Sequence, residues 1–389
     1  MKAILAFAGL ALFVALACAP SPVHGATPET LKLGVVAPLS GPGAPWGICL
    51  QTLLEIAVDE INGKGGLHVG NKTYNLKVIA YDDKYMPEAG LTATNRLVHE
   101  DGVKYIFGPN SSAGALAMQG VTEKEKVFIF TLAFTRRVLG PDKPFTFRWI
   151  PTPFEYAYPE ASWMLKKYPQ MQNVIIAAPN DETGRETIDA NRGGFQEAGI
   201  KNVAPELFER GAPDMLPLAT KILHSKPDLI DFDGAAPGDV ANIAKVARSQ
   251  GYKGLMSKLG GGGNICVAAA PEALEGFIFH TEADLEAGGK VGELVREMKK
   301  RKPENPVDSF VPDLYSVFGM LLSAMQSAGT VDDVNVVRLA LEKINNYEGI
   351  NGKYGWEGKE TYGISHQLRT PLYLAEGVGG KTKILARIR

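Results

Sequence analysis

The stretch Leu31-Lys32-Leu33-Gly34-Val35-Val36-Ala37-Pro38-Leu39 decides the fold, together with the helix after it. It reads as an apolar strand closed by a Pro-Gly turn. From Ile48 to Ile61 apolar residues return at helical spacing, at Leu50, Leu53, Leu54, Ala57, Val58 and Ile61. Asn62-Gly63-Lys64-Gly65-Gly66 then stops the helix. The alternation continues outward. Tyr74 to Tyr81, Tyr105 to Gly108 and Val127 to Leu132 read as strands, and Pro87 to His99 and Ala113 to Lys124 as helices. After residue 150 the pattern restarts, with helices at Tyr158–Lys167, Glu182–Ala198, Leu216–Ser225 and Ala236–Gln250. Strands at Asn173–Ala178, Asn202–Phe208 and Leu229–Phe232 lie between them. Short apolar strands between helices predict parallel sheets covered on both faces. Two such runs predict two α/β lobes, with Pro151 and Pro153 stiffening the crossing between them. A third region adds a strand at Gly276–Thr281, three helices and a turn-rich tail.

Composition bounds the function. Apolar residues make up 45% and charged residues 22% of 389, as in soluble globular proteins. Lys and Arg number 41 against 43 Asp and Glu. That balance lacks the basic excess that drives phosphate-backbone binding, so no nucleic-acid partner is expected. Lys2 and the apolar run Ile4–Ala17 read as a secretory signal peptide over 1–25, ending at Val23-His24-Gly25 before Ala26. Export to the periplasm is the expectation. Ala15-Leu16-Ala17-Cys18 weakly resembles a lipoprotein box, so either Cys18 carries a lipid or it is discarded with the peptide. After cleavage Cys49 and Cys266 remain, and two packed thiols are expected rather than a bridge.

Catalytic and cofactor motifs are absent. The glycine run Gly260–Gly263 has no Gly-Lys-Ser/Thr ending. His24, His68, His99, His224, His280 and His366 are scattered without metal-ligand spacing. No Gly-x-Ser-x-Gly elbow occurs. Asp82-Asp83 reads as a loop-positioning pair at a strand end. No enzyme, cofactor or metal site is expected.

Several of these segments together resemble the leucine/isoleucine/valine-binding protein family, type I periplasmic solute-binding proteins of ABC importers. The resemblance lies in Leu33-Gly34-Val35-Val36-Ala37-Pro38-Leu39-Ser40-Gly41 with Trp46-Gly47, and in Ala57-Val58-Asp59-Glu60-Ile61-Asn62-Gly63-Lys64-Gly65-Gly66. It continues in Tyr81-Asp82-Asp83 and in Tyr105-Ile106-Phe107-Gly108 before Ser111-Ser112. The resemblance implies two doubly wound Rossmann-like α/β lobes with three hinge crossings. Lobe one would comprise 31–150 and 283–361, and lobe two 151–282 and 362–389. It implies a monomer that takes a small carboxylate ligand and docks on an ABC permease with its cytoplasmic ATPases. A sensing module of the same fold, reporting to a receptor or kinase, is the alternative.

The resemblance also implies a ligand-binding set: Trp46, Ser111, Ser112, Ala133, Phe134, Thr135, Tyr156, Thr183, Ala235, Gly261 and Phe310. Ser111-Ser112 opens a helix, where a hydroxyl and backbone N–H groups suit a carboxylate, although a helix cap alone explains a serine there. Trp46 stands where the amino-acid binders commonly carry Tyr. Arg136-Arg137 reads as solvated surface. The departure is Lys258-Leu259-Gly260-Gly261-Gly262-Gly263-Asn264, where those binders place an acid for the ligand's ammonium. Glycines there imply open space and an amine-free acid, aromatic or aliphatic, as readily as an amino acid. Asp181, Glu182 and Asp233 are candidate replacements for the acid.

Overall fold

The Leu31 stretch folds as the strand Glu29–Ala37, paired in parallel with Lys72–Asp82 on one side and Tyr105–Phe107 on the other. The structure is a computed structural model that describes residues 28–388. The expected signal peptide and Cys18 lie outside the described residues. The first sheet has nine strands in the order Tyr347–Gly349, Gly352–Glu357, Gln367–Arg369, Thr146–Arg148, Phe128–Thr131, Tyr105–Phe107, Glu29–Ala37, Lys72–Asp82, Leu67–Val69. The second has seven: Lys381–Arg387, Tyr373–Val378, Ile278–Thr281, Leu255–Lys258, Leu229–Asp231, Asn173–Pro179, Asn202–Phe208. Inner strands are parallel in both, and antiparallel strands occur at edges. This is the expected two-lobe α/β architecture.

Alternation along the strands builds two cores per sheet. Leu33, Val35 and Ala37 enter one core of lobe one, with Tyr105, Phe107, Phe128, Phe130 and Phe147. Val36, Ile106 and Ile129 enter the other, against Leu97 and Met118. The helices Ala44–Gly63 and Val311–Ala328 cover the aromatic face. Phe107 and Phe130 stack at 4.9 Å, and Phe128 and Phe147 at 5.8 Å. Each such side chain contributes about 1.5–3 kcal/mol by burial. In lobe two, Ile175 and Ala177 face one core and Val174, Ile176 and Ala178 the other.

The chain changes sheet after Arg148, after Thr281 and after Arg369. The last crossing corrects the expected boundary at 361/362. Gln367–Arg369 pairs with Trp356 and Arg148, so lobe one keeps the chain until Arg369. Arg148 explains the delay. Its buried guanidinium bonds Gln367 Oε1 at 2.6 Å, tying that strand to the first sheet. Both cysteines are free and buried, Cys49 on a lobe-one helix and Cys266 on a lobe-two helix. Among the described residues no helix is long and apolar enough to cross a membrane.

Candidate functional site

Parallel strands of both sheets end at one seam, where open α/β sheets hold ligands. The loops beyond those strand ends enclose a cavity of about 50 Å³. Lobe one supplies Trp46, Tyr85, Asn110, Leu132, Phe134, Asp308 and Phe310. Lobe two supplies Thr183, Gly234, Lys258, Gly261, Gly262 and His280, and the crossings supply Ile150, Pro151 and Glu282. The walls are therefore largely apolar, with charge gathered at one end.

That charged end is dense. Lys258 is buried, and its ammonium lies 3.5 Å from Asp233 Oδ1 and 5.8 Å above the Trp46 ring. Asp233 is already served by Tyr156 OH at 2.8 Å, Asn191 Nδ2 at 3.0 Å and Gly234 N–H at 2.8 Å. His280 Nδ1 lies 3.1 Å from Glu160, and its Nε2 3.4 Å from Glu282 Oε1. Ser309 donates to Glu282 Oε2 at 2.5 Å. Burial opposes the charge of His280, but Glu160 and Glu282 outweigh it and raise its pKa to about 10. Burial likewise opposes the Glu282 carboxylate, which His280 and Ser309 hold below its ordinary range. Burial pushes Asp308 up to about 7, and the Glu282 charge adds to it. Asp308 Oδ2 and Asn110 Oδ1, both buried, have no hydrogen-bond partner. Buried oxygens in that condition are costly unless something donates to them.

The opposite end of the seam is saturated. The Ser112 hydroxyl accepts from Phe134 N–H at 3.1 Å and Thr135 N–H at 3.2 Å. Ser112 N–H donates across the seam to Thr183 Oγ1 at 3.1 Å. The Thr135 hydroxyl donates to Glu186 Oε1 at 2.5 Å, and Arg137 pairs with Glu182 at 3.0 Å. Arg136 lies 3.6 Å from the centre of the Phe154 ring. Both arginines are exposed, as expected of solvated surface, and each also touches a lobe-two residue. Arg148 steadies this loop by donating to the carbonyls of Ala133, Phe134 and Thr135.

The glycine run does not open space. A Cβ on Gly260 would stand 2.0 Å from Asp233 Oδ1, and one on Gly261 2.7 Å from Glu282 Oε1. One on Gly262 would stand 2.6 Å from Trp46 Nε1, and Gly262 also has φ of +80°. Backbone passes so close to acids and indole that no side chain fits.

Of the residues singled out from sequence, Trp46, Phe134, Thr183, Gly261 and Phe310 line the cavity. Ser111 caps its helix, accepting from Gly114 N–H at 2.9 Å. Ser112 and Thr135 belong to the saturated end. Ala133 and Ala235 are buried outside the lining, and Tyr156 stands behind it on Asp233. Sequence reasoning did not assign Tyr85, Asn110, His280, Glu282 or Asp308 to the site. Glu282 carried a signal: it directly succeeds the strand Ile278–Thr281 at its carboxyl end. Asp308 carried none, because its loop reaches the seam only after two helices have packed. Asp82 and Asp83 position a loop, Asp82 accepting from Leu39 N–H and Lys84 N–H, each at 2.8 Å, and Asp83 from Tyr85 N–H at 2.8 Å. No cluster of three or more His, Cys, Asp or Glu that could hold a metal occurs among the described residues.

Comparisons with known proteins agree with this fold. The profile of one family, described as periplasmic binding protein, matches residues 30–382. A Leu/Ile/Val-binding protein of Rhizobium johnstonii is 26% identical over 351 residues, 85% of this chain and 89% of that protein. A crystal structure of a leucine-binding protein from Thermotoga maritima superposes with a TM-score of 0.78 at 20% identity, covering 92% of this chain and 99% of that one. A solute-binding protein of an ABC transporter from Rhodopseudomonas palustris BisB5, in complex with 3,4-dihydroxybenzoic acid, gives 0.77 at 18% identity, covering 92% and 97%.

Proposed function

The chain belongs to the periplasmic binding protein family, and on that premise we propose that it is the extracytoplasmic solute-binding component of an ABC importer. It captures a small amino acid in the interlobe cleft, closes by hinge motion and docks on the permease, whose cytoplasmic ATPases drive uptake. One observation carries the ligand class. Asp308 Oδ2 is buried without a partner at the cavity wall, beside Glu282. An ammonium group supplies three donors and a charge for these acids. The acid that the glycine run lacks is thus replaced from a hinge crossing and a lobe-one loop. Trp46, Phe134 and Phe310 offer an apolar wall for the side chain. Relatives named for leucine, isoleucine and valine support the same reading.

A second reading, a hydroxylated aromatic acid, has one observation in its favour. Phenolic hydroxyls also donate to Asp308 and Asn110, and one solved neighbour holds 3,4-dihydroxybenzoic acid. The test is a thermal-shift series on refolded, ligand-stripped protein with leucine, isoleucine, valine, benzoate and 3,4-dihydroxybenzoate. A ligand at one hundred times its Kd stabilises by about 2.7 kcal/mol. Shifts with the amino acids are expected, and none with benzoate, which has no donor for Asp308. A shift with 3,4-dihydroxybenzoate alone would replace the first reading by the second. The importer role is tested by ligand-dependent stimulation of the reconstituted transporter's ATPase. Ligand binding without stimulation would favour a sensing module.

A further inference from the structure

The resemblance to amino-acid binders implies a carboxylate cradle at Ser112 and Thr135, yet that cradle is already filled. Ser112 N–H is spent on Thr183 Oγ1, and the Ser112 oxygen accepts from two backbone N–H groups, which leaves its O–H alone to give. The Thr135 hydroxyl is spent on a carboxylate of the protein itself, Glu186. A ligand carboxylate entering there would displace Thr183 and lie against Glu186 and Glu182, two like charges. None of Ser112, Thr135 and Glu186 lines the cavity.

The cavity does hold another anion partner. Lys258 lines it, 1% exposed, at the end of the strand Leu255–Lys258. Its Nζ is 3.5 Å from Asp233 Oδ1, long beside the roughly 2.8 Å of a direct charge-assisted bond. Asp233 also receives three donors from Tyr156, Asn191 and Gly234, so the ammonium is not its sole partner. The ammonium also stands over the Trp46 face, a contact that tolerates the charge without using its N–H donors. A buried ammonium with donors to spare, in an apolar cavity, is a built site for a carboxylate.

We infer that Lys258, on lobe two, holds the carboxylate of the ligand, and that the Ser112–Thr135 cradle is closed by the protein's own Thr183 and Glu186. The inference rests on the reading of a small carboxylate ligand in this cleft. It makes the ligand lie with its acid toward lobe two and its donor group toward Asp308 of lobe one. Ligand binding then draws the lobes together directly, because the two ends of one small molecule are held by opposite lobes.

The test compares an amino acid with its amide. Titration calorimetry is run with leucine and leucinamide, or with whichever amino acid the thermal-shift series selects, on the wild type and on Lys258→Met. The wild type should prefer the acid by about 100-fold, the usual scale for losing one partner of a buried charge pair. In Lys258→Met that preference should fall to within a few-fold, while binding of the amide shows that the variant is folded. A preference that survives in Lys258→Met places the carboxylate elsewhere and overturns the inference. If the variant does not fold, a crystal structure of the wild-type complex decides. A ligand carboxylate within hydrogen-bond distance of Lys258 Nζ supports the inference, and one on Ser112 N–H or the Thr135 hydroxyl overturns it. A wild type that binds no member of the series would defeat the proposed function, a different result from either.

Discussion

The two ends of the interlobe seam are made from the same materials and finished differently. At Ser112 and Thr135 the Ser112 N–H, the Ser112 oxygen and the Thr135 hydroxyl all have partners on their own loop or on the opposite lobe. At Lys258 and Asp308 buried charge is abundant, yet Asp308 Oδ2 and Asn110 Oδ1 are left without partners. The first end needs nothing more to close. The second keeps polar groups in a condition that only an added molecule relieves. In a binding protein, unmet hydrogen-bonding capacity is a better guide to the ligand position than the presence of hydroxyls and cap-forming serines.

The sharpest attempt to break this contrast within the apolar-walled cavity is Asp308→Ala. It should weaken an amine-bearing ligand about 100-fold, near 2.7 kcal/mol, in titration calorimetry. The ligand-free protein should melt no lower at pH 8, since a carboxyl raised to about 7 gains nothing by ionising in place. Unchanged affinity would remove Asp308 from the site.

Gly260→Ala tests whether the glycine run is a packing requirement. The added methyl must displace Asp233 Oδ1, and overpacking of that kind costs about 1–3 kcal/mol. Denaturant unfolding of the ligand-free variant measures it. A neutral result would restore the reading of open space.

The pH dependence comes from the same buried groups. Asp308, Asp231, Glu160 and Asp313 all have carboxyl pKa values raised by burial, to about 7, 7, 8 and 8. A raised acid binds its proton more tightly folded than unfolded, so stability falls as pH climbs from the unfolded value near 4 to those values. His280, raised to about 10, adds stability below its unfolded value near 6.5 that is lost as pH rises toward 10. The carboxylates lowered in the fold, Glu282 and Asp82 among them, lose theirs below pH 4. The melting temperature of the ligand-free protein should therefore peak near pH 5 and decline toward pH 9. A maximum at pH 8 would mean that the charged end is solvated.

The smallest effect is expected at the saturated end. Glu186→Gln keeps the acceptor but removes the charge from one half-exposed interlobe contact, worth about 1 kcal/mol or less, so affinity should fall no more than about fivefold. A rise in affinity would be informative in the opposite sense. It would mean that Glu186 competes with the ligand's own acid at Thr135.

The fold was legible because its signals are local. Leu33, Val35 and Ala37 against Val36 declare a strand buried on both faces, and the spacing from Leu50 to Ile61 declares the covering helix. The site was half legible. Trp46, Phe134, Thr183 and Gly261 come after strands, and these and Phe310 were reachable through the resemblance. Glu282 and Asp308 were not assigned, because the replacement for the missing acid was sought at Asp181, Glu182 and Asp233. The run proved to be shaped by acids arriving from elsewhere. Likewise Gln367–Arg369 is too short to read as a strand, and only the buried Arg148 shows which lobe owns it.

The contacts at the saturated end have a kinetic consequence. Ser112 to Thr183, Thr135 to Glu186 and Arg137 to Glu182 join the lobes through the protein's own groups. Such a clasp favours the shut form whatever the cleft holds, and a solute can enter only while it is open. Arrival is slowed because it waits on opening. Departure waits on opening, so a captured molecule stays for as long as the clasp holds. Small-angle scattering would register this as a modest change in radius of gyration on saturation, smaller than that of a binding protein whose empty lobes never touch.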